Sequence, residues 1–281
     1  MSFKDLLFAT FTYPDATPAR ALRSGVALAS RVGGALTLLA VRIDLPDISN
    51  RFSRALIDLD GMIADQEAGS AAIAEFAATC VAVAGEEDAV AVASLTCTAK
   101  LYEEGACVSS AARTRDLCLI AIGGGVAEGR SIAETVLFES GRPLLIFPEA
   151  VEVTPGPTFP TVAIAWDGGA RAARAVADAM PLLAKADTVR ILVVTGEKSS
   201  VDAGAADELV RHLATHRVTA TVDEAPVGRG IGQTLVDYAA TRRLDLLVMG
   251  GYGHARAREF ILGGATSRML ADPPCPILLS H

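Results

Sequence analysis

Short apolar runs recur along this chain and alternate with stretches in which apolar residues return every three or four positions. The first pattern predicts strands and the second predicts helices. In the second half the strand pattern falls at 161–166, 188–194, 218–223, 245–249 and 276–279. Helix patterns lie between them: one after Gly169, one from near Ala205, one over 233–241 and one over 265–270. The helix after Gly169 is read with Ala173, Val176, Ala177, Met180 and Leu183 on its inner face. The first half repeats the order, with strand patterns at Asp5–Phe11, 36–41, 89–95, Leu117–Ile122 and 143–147.

Two local matches anchor the repeat. Asp116-Leu-Cys-Leu-Ile answers Asp245-Leu-Leu-Val-Met, and Arg142-Pro-Leu-Leu-Ile answers Cys275-Pro-Ile-Leu-Leu. Between the copies runs Val153-Thr-Pro-Gly-Pro-Thr-Phe-Pro160, which cannot continue a helix or a central strand. The expected domains are therefore 1–152 and 153–281. Alternating strands and helices imply right-handed crossovers and a parallel sheet covered on both faces. The expected fold is α/β, two tandem five-stranded parallel units with strand order 3-2-1-4-5. In that order ligands bind outside the carboxyl ends of strands one and four, where the direction of winding switches. In the second unit those ends are Asp167 and 250–253. The last strands, 143–147 and 276–279, would be exposed apolar edges, so the units are expected to pair through them.

The chain has 281 residues, 51% of them apolar and 21% charged, enough for two ordinary cores. Its formal net charge of −8 argues against a general nucleic-acid partner. No apolar stretch reaches the ~18 residues of a membrane span, and the first residues lack a signal-peptide layout. A cytoplasmic protein without membrane contact is expected. Five cysteines without a Cys-x-x-Cys pair read as free thiols packed as small apolar side chains. No metal-ligand spacing stands out.

The most informative segment is Asp245-Leu-Leu-Val-Met-Gly-Gly-Tyr-Gly253, followed after nine residues by Gly263-Gly264-Ala265-Thr266. A strand running into one glycine cluster, with a second cluster opening a helix, lets the backbone approach a phosphate chain at a helix amino end. The spacing G-x-x-G-x9-G resembles the nucleotide loop of ATP-binding universal stress proteins, and the second half is similar to that family over nearly its whole length. The resemblance implies an adenine nucleotide alpha hydrolase-like fold, ATP as ligand with Mg²⁺ accompanying it, and a stress-response regulatory role. It also implies a homodimer of tandem chains. Carried over by position, Asp167 and Ala165 would hold the adenine and ribose end, Val194 would wall the base, and Met249 and Gly250 would lie beside the ribose. Gly253, Gly263, Gly264, Ala265 and Thr266 would hold the phosphates. The family pattern ends in Gly followed by Ser or Thr, whereas this chain has Gly264, so one phosphate-binding hydroxyl is missing. Thr266 or Ser267 are candidate replacements, with His254, Arg256 and Arg258 as candidate cations.

The first half departs further. Gly123 to Pro143 spans twenty positions, against twenty-six from Gly250 to Pro276, and the second glycine cluster is absent. That half is expected to keep the fold and to have lost the nucleotide. Gly228-Arg-Gly-Ile-Gly232 lacks the third glycine of a dinucleotide fingerprint and reads as a helix entry bordering the site. His212 and His216 have the spacing of a metal pair but no third ligand, and Trp166 reads as core. No nucleophile with an acid or base partner is evident. The alternatives to an ATP-binding regulator are a scaffold of the same fold that binds no nucleotide and, less in keeping with the residues, a slow ATPase.

Overall fold

The computed structural model describes residues 2–45, 55, 57–82, 90–123, 127–196, 204–252 and 264–281. The first unit holds β1 (Asp5–Phe11), α1 (Ala19–Val32), β2 (Ala35–Ile43), α2 (Leu59–Ala82), β3 (Val92–Ala99), α3 (Glu104–Ala112), β4 (Leu117–Ile122), α4 (Ala127–Glu139) and β5 (Leu144–Pro148). The second holds β6 (Thr161–Ala165), α5 (Ala170–Leu183), β7 (Thr188–Thr195), α6 (Ala205–Thr215), β8 (Ala220–Pro226), α7 (Ile231–Arg242), β9 (Leu246–Gly250), α8 (Gly264–Ala271) and β10 (Ile277–Ser280).

The strands form one ten-stranded sheet in the order β3-β2-β1-β4-β5-β10-β9-β6-β7-β8. Each unit thus has the expected 3-2-1-4-5 order, and every pairing inside a unit is parallel. Among the described residues, one antiparallel pairing joins the two last strands, setting Ile277, Leu278 and Leu279 opposite Ile146, Leu145 and Leu144. All six side chains are fully buried. The expected exposed edges have covered each other.

Alternation along the strands sends side chains to two cores, one on each face of the sheet. Leu6, Phe8, Leu145, Leu278 and Val248 belong to one, and Leu7, Ala9, Ile146, Ile277 and Met249 to the other. Both cores run through β5 and β10 from one unit into the next. The connecting residues 149–160 contain no helix or strand and are strapped to α1. Val153 donates its N–H to the Ser24 hydroxyl at 3.0 Å, and Arg31 reaches both the Thr154 carbonyl at 3.0 Å and Asp245 at 3.4 Å.

Three readings need correction. The outer strands begin later than expected, β3 at Val92 and β8 at Ala220, because an edge strand half exposed to water carries a weaker apolar signal. The buried face of α5 is Ala172, Ala175, Val176, Ala179, Leu182 and Leu183. Ala173 and Ala177 are exposed, since alanine on several sides of a helix marks no single stripe. Cys97 on β3 and Cys107 on α3 form a disulfide across a Cα–Cα distance of 6.8 Å, because the turn between these elements lays the helix over the strand. Cys80, Cys118 and Cys275 are free, and burial pushes the Cys118 and Cys275 thiols up to about 12.

Candidate functional site at the carboxyl ends of β6 and β9

β6 lies beside β9 with Ala165 opposite Met249. The chain therefore leaves β6 through Trp166 and Asp167 next to the point where β9 ends in Gly250 and Gly251. Gly250 is held close to α5: a Cβ there would stand 2.6 Å from the Ala172 nitrogen and 2.7 Å from the Arg171 carbonyl carbon. Only glycine lets the strand end pass this near the helix entry. Asp167 is exposed, and one of its oxygens accepts the Gly169 N–H at 2.8 Å. The other oxygen is unengaged among the described residues.

The floor is apolar. Ala165, Val194, Ala225, Ile231 and Ala265 all pack, partly buried, against the same core. α8 enters from the far side, and its first N–H groups have no intrahelical partners. Gly264 is exposed there, and a Cβ on it would meet nothing within 4 Å among the described residues. The Gly228–Gly232 segment does border this end: a Cβ on Gly232 would stand 3.0 Å from the Gly264 carbonyl oxygen. The expected site residues Ala165, Asp167, Val194, Met249, Gly250, Gly264, Ala265 and Thr266 thus gather at one end of the sheet. Gly253, Gly263, His254, Arg256 and Arg258 lie outside the described residues.

The candidate replacement hydroxyls are both engaged. Thr266, buried, accepts the Tyr252 N–H at 3.0 Å, and the Ser267 hydroxyl accepts a hydrogen bond from Arg130 at 2.9 Å. Arg130 belongs to α4 of the first unit, a residue that sequence reasoning missed. It also pairs with Glu134 at 3.0 Å, and Glu134 accepts the Tyr252 hydroxyl at 2.8 Å. Burial, and then the bond to Glu134, raise the Tyr252 phenol above its ordinary value. The Tyr252 ring stacks on Phe138 at 5.1 Å, and a Cβ on Gly251 would strike Leu137 at 2.6 Å. The signal that could have found α4 is its length, since the helix occupies positions where the second unit has its second glycine cluster.

The corresponding end of the first unit is different. A cavity of about 70 Å³ lies there, with Phe11, Val41 and Ile132 among its walls and Asp15, Glu104 and Glu149 around it. The Glu149 carboxylate lies against Gly123, where a Cβ would otherwise stand. Elsewhere, Trp166 packs against the core, with a buried indole N–H that finds no partner among the described residues. His212 on α6 and His216 just past its end, both exposed, meet edge-on at 5.0 Å.

Residues 158–281 match the model of the universal stress protein family. That segment is similar to a universal stress protein domain. Over its whole length the chain shares the fold of a universal stress protein from Archaeoglobus fulgidus, at 16% identity and a TM-score of 0.71, covering 99% of this chain and 97% of that one. A protein of unknown function from Pseudomonas aeruginosa is similar at 13% identity and a TM-score of 0.55, covering 98% and 92%. At such identities the likeness is one of fold. No protein of curated function matches the sequence. Among the described residues, no helix is long and apolar enough to cross a membrane.

Proposed function

We propose that the universal stress protein-like domain at 158–281 binds ATP and that the chain acts as a nucleotide-responsive regulator. One observation carries this reading: the Asp167 oxygen that no described residue engages, the tight Gly250 turn and the amino end of α8, where no described residue lies within 4 Å of a Cβ on Gly264, face the same end of the sheet. Asp167 would accept a hydroxyl of the ribose. The apolar floor at Ala165 and Val194 would receive the base, and the α8 N–H groups would meet the phosphates. Mg²⁺ would come with the nucleotide, carried on its phosphate oxygens. Binding would act through conformation or choice of partner. The first unit is a poor host for the same ligand, because the carboxylates of Asp15, Glu104 and Glu149 around its cavity repel phosphate.

The engaged hydroxyls of Thr266 and Ser267, together with the missing one at 264, favour a second reading, a scaffold of the same fold without nucleotide. Calorimetric titration separates the two. Gly264→Ser places a hydroxyl at the α8 amino end, where no described residue lies within 4 Å of the Cβ, and one added hydrogen bond contributes about 1 kcal/mol, roughly a fivefold gain in ATP affinity. Wild-type protein without measurable ATP binding, and a serine variant no better, would favour the scaffold.

A further inference from the structure

We infer that the first unit, which lacks the second glycine cluster of a nucleotide loop, supplies an arginine, Arg130, to the phosphate-binding end of the second unit. The inference rests on the ATP reading for the identity of the ligand, but its chemistry is that of a phosphate chain. In the sequence of the second unit Gly263 precedes α8 and Gly264 opens it. In the first unit, counting back from the matched prolines Pro143 and Pro276, the same positions are helical and belong to α4. The extra helical turn carries Arg130. Because β5 and β10 pair antiparallel, this turn lies across the join against α8. There Arg130 donates through Nη2 to the Ser267 hydroxyl at 2.9 Å, and through Nε to Glu134 at 3.0 Å.

Glu134 and Ser267 take two of the five N–H donors of the guanidinium and Tyr252 also interacts with it, so at most two remain for a further acceptor among the described residues. Ser267 is the fourth residue of α8, and helical side chains lean back toward the amino end. The Arg130 guanidinium is therefore within a turn of the N–H groups that would meet phosphate. A planar donor fork suits a phosphate oxygen pair. Glu134 and Tyr252 hold the assembly from the β9 side, since Glu134 accepts the tyrosine hydroxyl at 2.8 Å and Arg130 on the same oxygen. The phosphate end of the site is thus shared between the units, and ordering of phosphate there would be felt in α4.

The test titrates the full chain, as wild type, Arg130→Gln and Arg130→Lys, with three probes: ATP, adenosine and inorganic tripolyphosphate. Arg130→Gln should weaken ATP and tripolyphosphate by roughly ten- to a hundredfold, the range of a charged hydrogen bond. Adenosine, which has no phosphate, should bind wild type and variant alike, and Arg130→Lys should recover part of the loss. Circular dichroism of each variant establishes that it is folded. If wild type binds ATP and Arg130→Gln binds it equally well, the inference is overturned and the ATP reading stands. Equal loss for adenosine and ATP would also overturn it, by showing that Arg130 only shapes the site. Arg130-dependent binding of tripolyphosphate without ATP binding would uphold the arginine's role and overturn the ATP reading. Binding of none of the three would overturn both.

Discussion

Alanine in place of Gly250 and alanine in place of Gly264 put the same methyl group at the two ends of the glycine-rich site, with opposite consequences expected. At Gly250 the methyl carbon would stand 2.6 Å from the Ala172 nitrogen and 2.7 Å from the Arg171 carbonyl carbon, both main-chain atoms of α5. Ordinary carbon contacts lie at about 3.5–4.0 Å, so the amino end of α5 must retreat by about 1 Å. That helix is seated on the sheet by Ala172, Ala175, Val176 and Ala179, all buried, and small side chains leave no slack to absorb the shift. Overpacking of this kind costs about 1–3 kcal/mol, which in a chain of this size lowers Tm by roughly 2–5 °C. At Gly264 the methyl meets nothing within 4 Å among the described residues, in the first turn of a helix. There alanine gains up to about 1 kcal/mol in helix propensity, so Tm should hold or rise slightly. Differential scanning calorimetry of the two variants beside wild type reads both effects. A Gly250→Ala protein melting with wild type, or a Gly264→Ala protein losing as much as Gly250→Ala, would refute the geometry on which the site rests.

Asp167→Ala removes the carboxylate offered to the ribose and should weaken ATP about tenfold in calorimetry. Its Tm should barely move, since the bond from Gly169 to Asp167 is exposed. Leu278→Ala opens a hole in the core shared by both units and should cost about 2–5 kcal/mol. Urea unfolding followed by fluorescence and by circular dichroism should still show one coincident transition, and two separate transitions would contradict a common core. At Asp223, desolvation raises the carboxyl, but hydrogen bonds from Tyr238 and Arg190 and the charges of Arg190 and Arg242 outweigh it and lower the pKa overall. The unfolded chain therefore takes up the proton first, at about pH 4. The stabilisation is complete above that value and is lost as pH falls through the lower folded pKa. The Tm deficit of Asp223→Asn should be full at pH 7 and shrink below about pH 4, so a deficit that is constant down to pH 2 would count against the cluster.

Much of this architecture is legible in the sequence because it follows from local rules. Strands alternating with helices dictate parallel units, and two apolar last strands without a further neighbour dictate the join that pairs Leu145 with Leu278. Asp167, Gly250 and Gly264 could be placed together because the 3-2-1-4-5 order sets strands one and four side by side. Other features depend on contacts that no local pattern announces. The Cys97–Cys107 pair needs α3 laid over β3. Gly232 against Gly264 depends on how α7 meets α8. The bridge from Arg130 and Glu134 to Ser267 and Tyr252 depends on the angle at which one unit faces the other across β5 and β10. The shortened first-half loop was visible as missing residues, but its replacement by a helical turn reaching the second unit was not.

The most direct test is a crystal structure of the full chain grown with Mg²⁺ and a non-hydrolysable ATP analogue. The expected result is one nucleotide per chain, at the carboxyl ends of β6 and β9, with its ribose on Asp167 and its phosphates at the amino end of α8. Nucleotide beside Asp15 and Glu149 in the first unit, or no nucleotide at an analogue concentration of several millimolar, would contradict the assignment of the site.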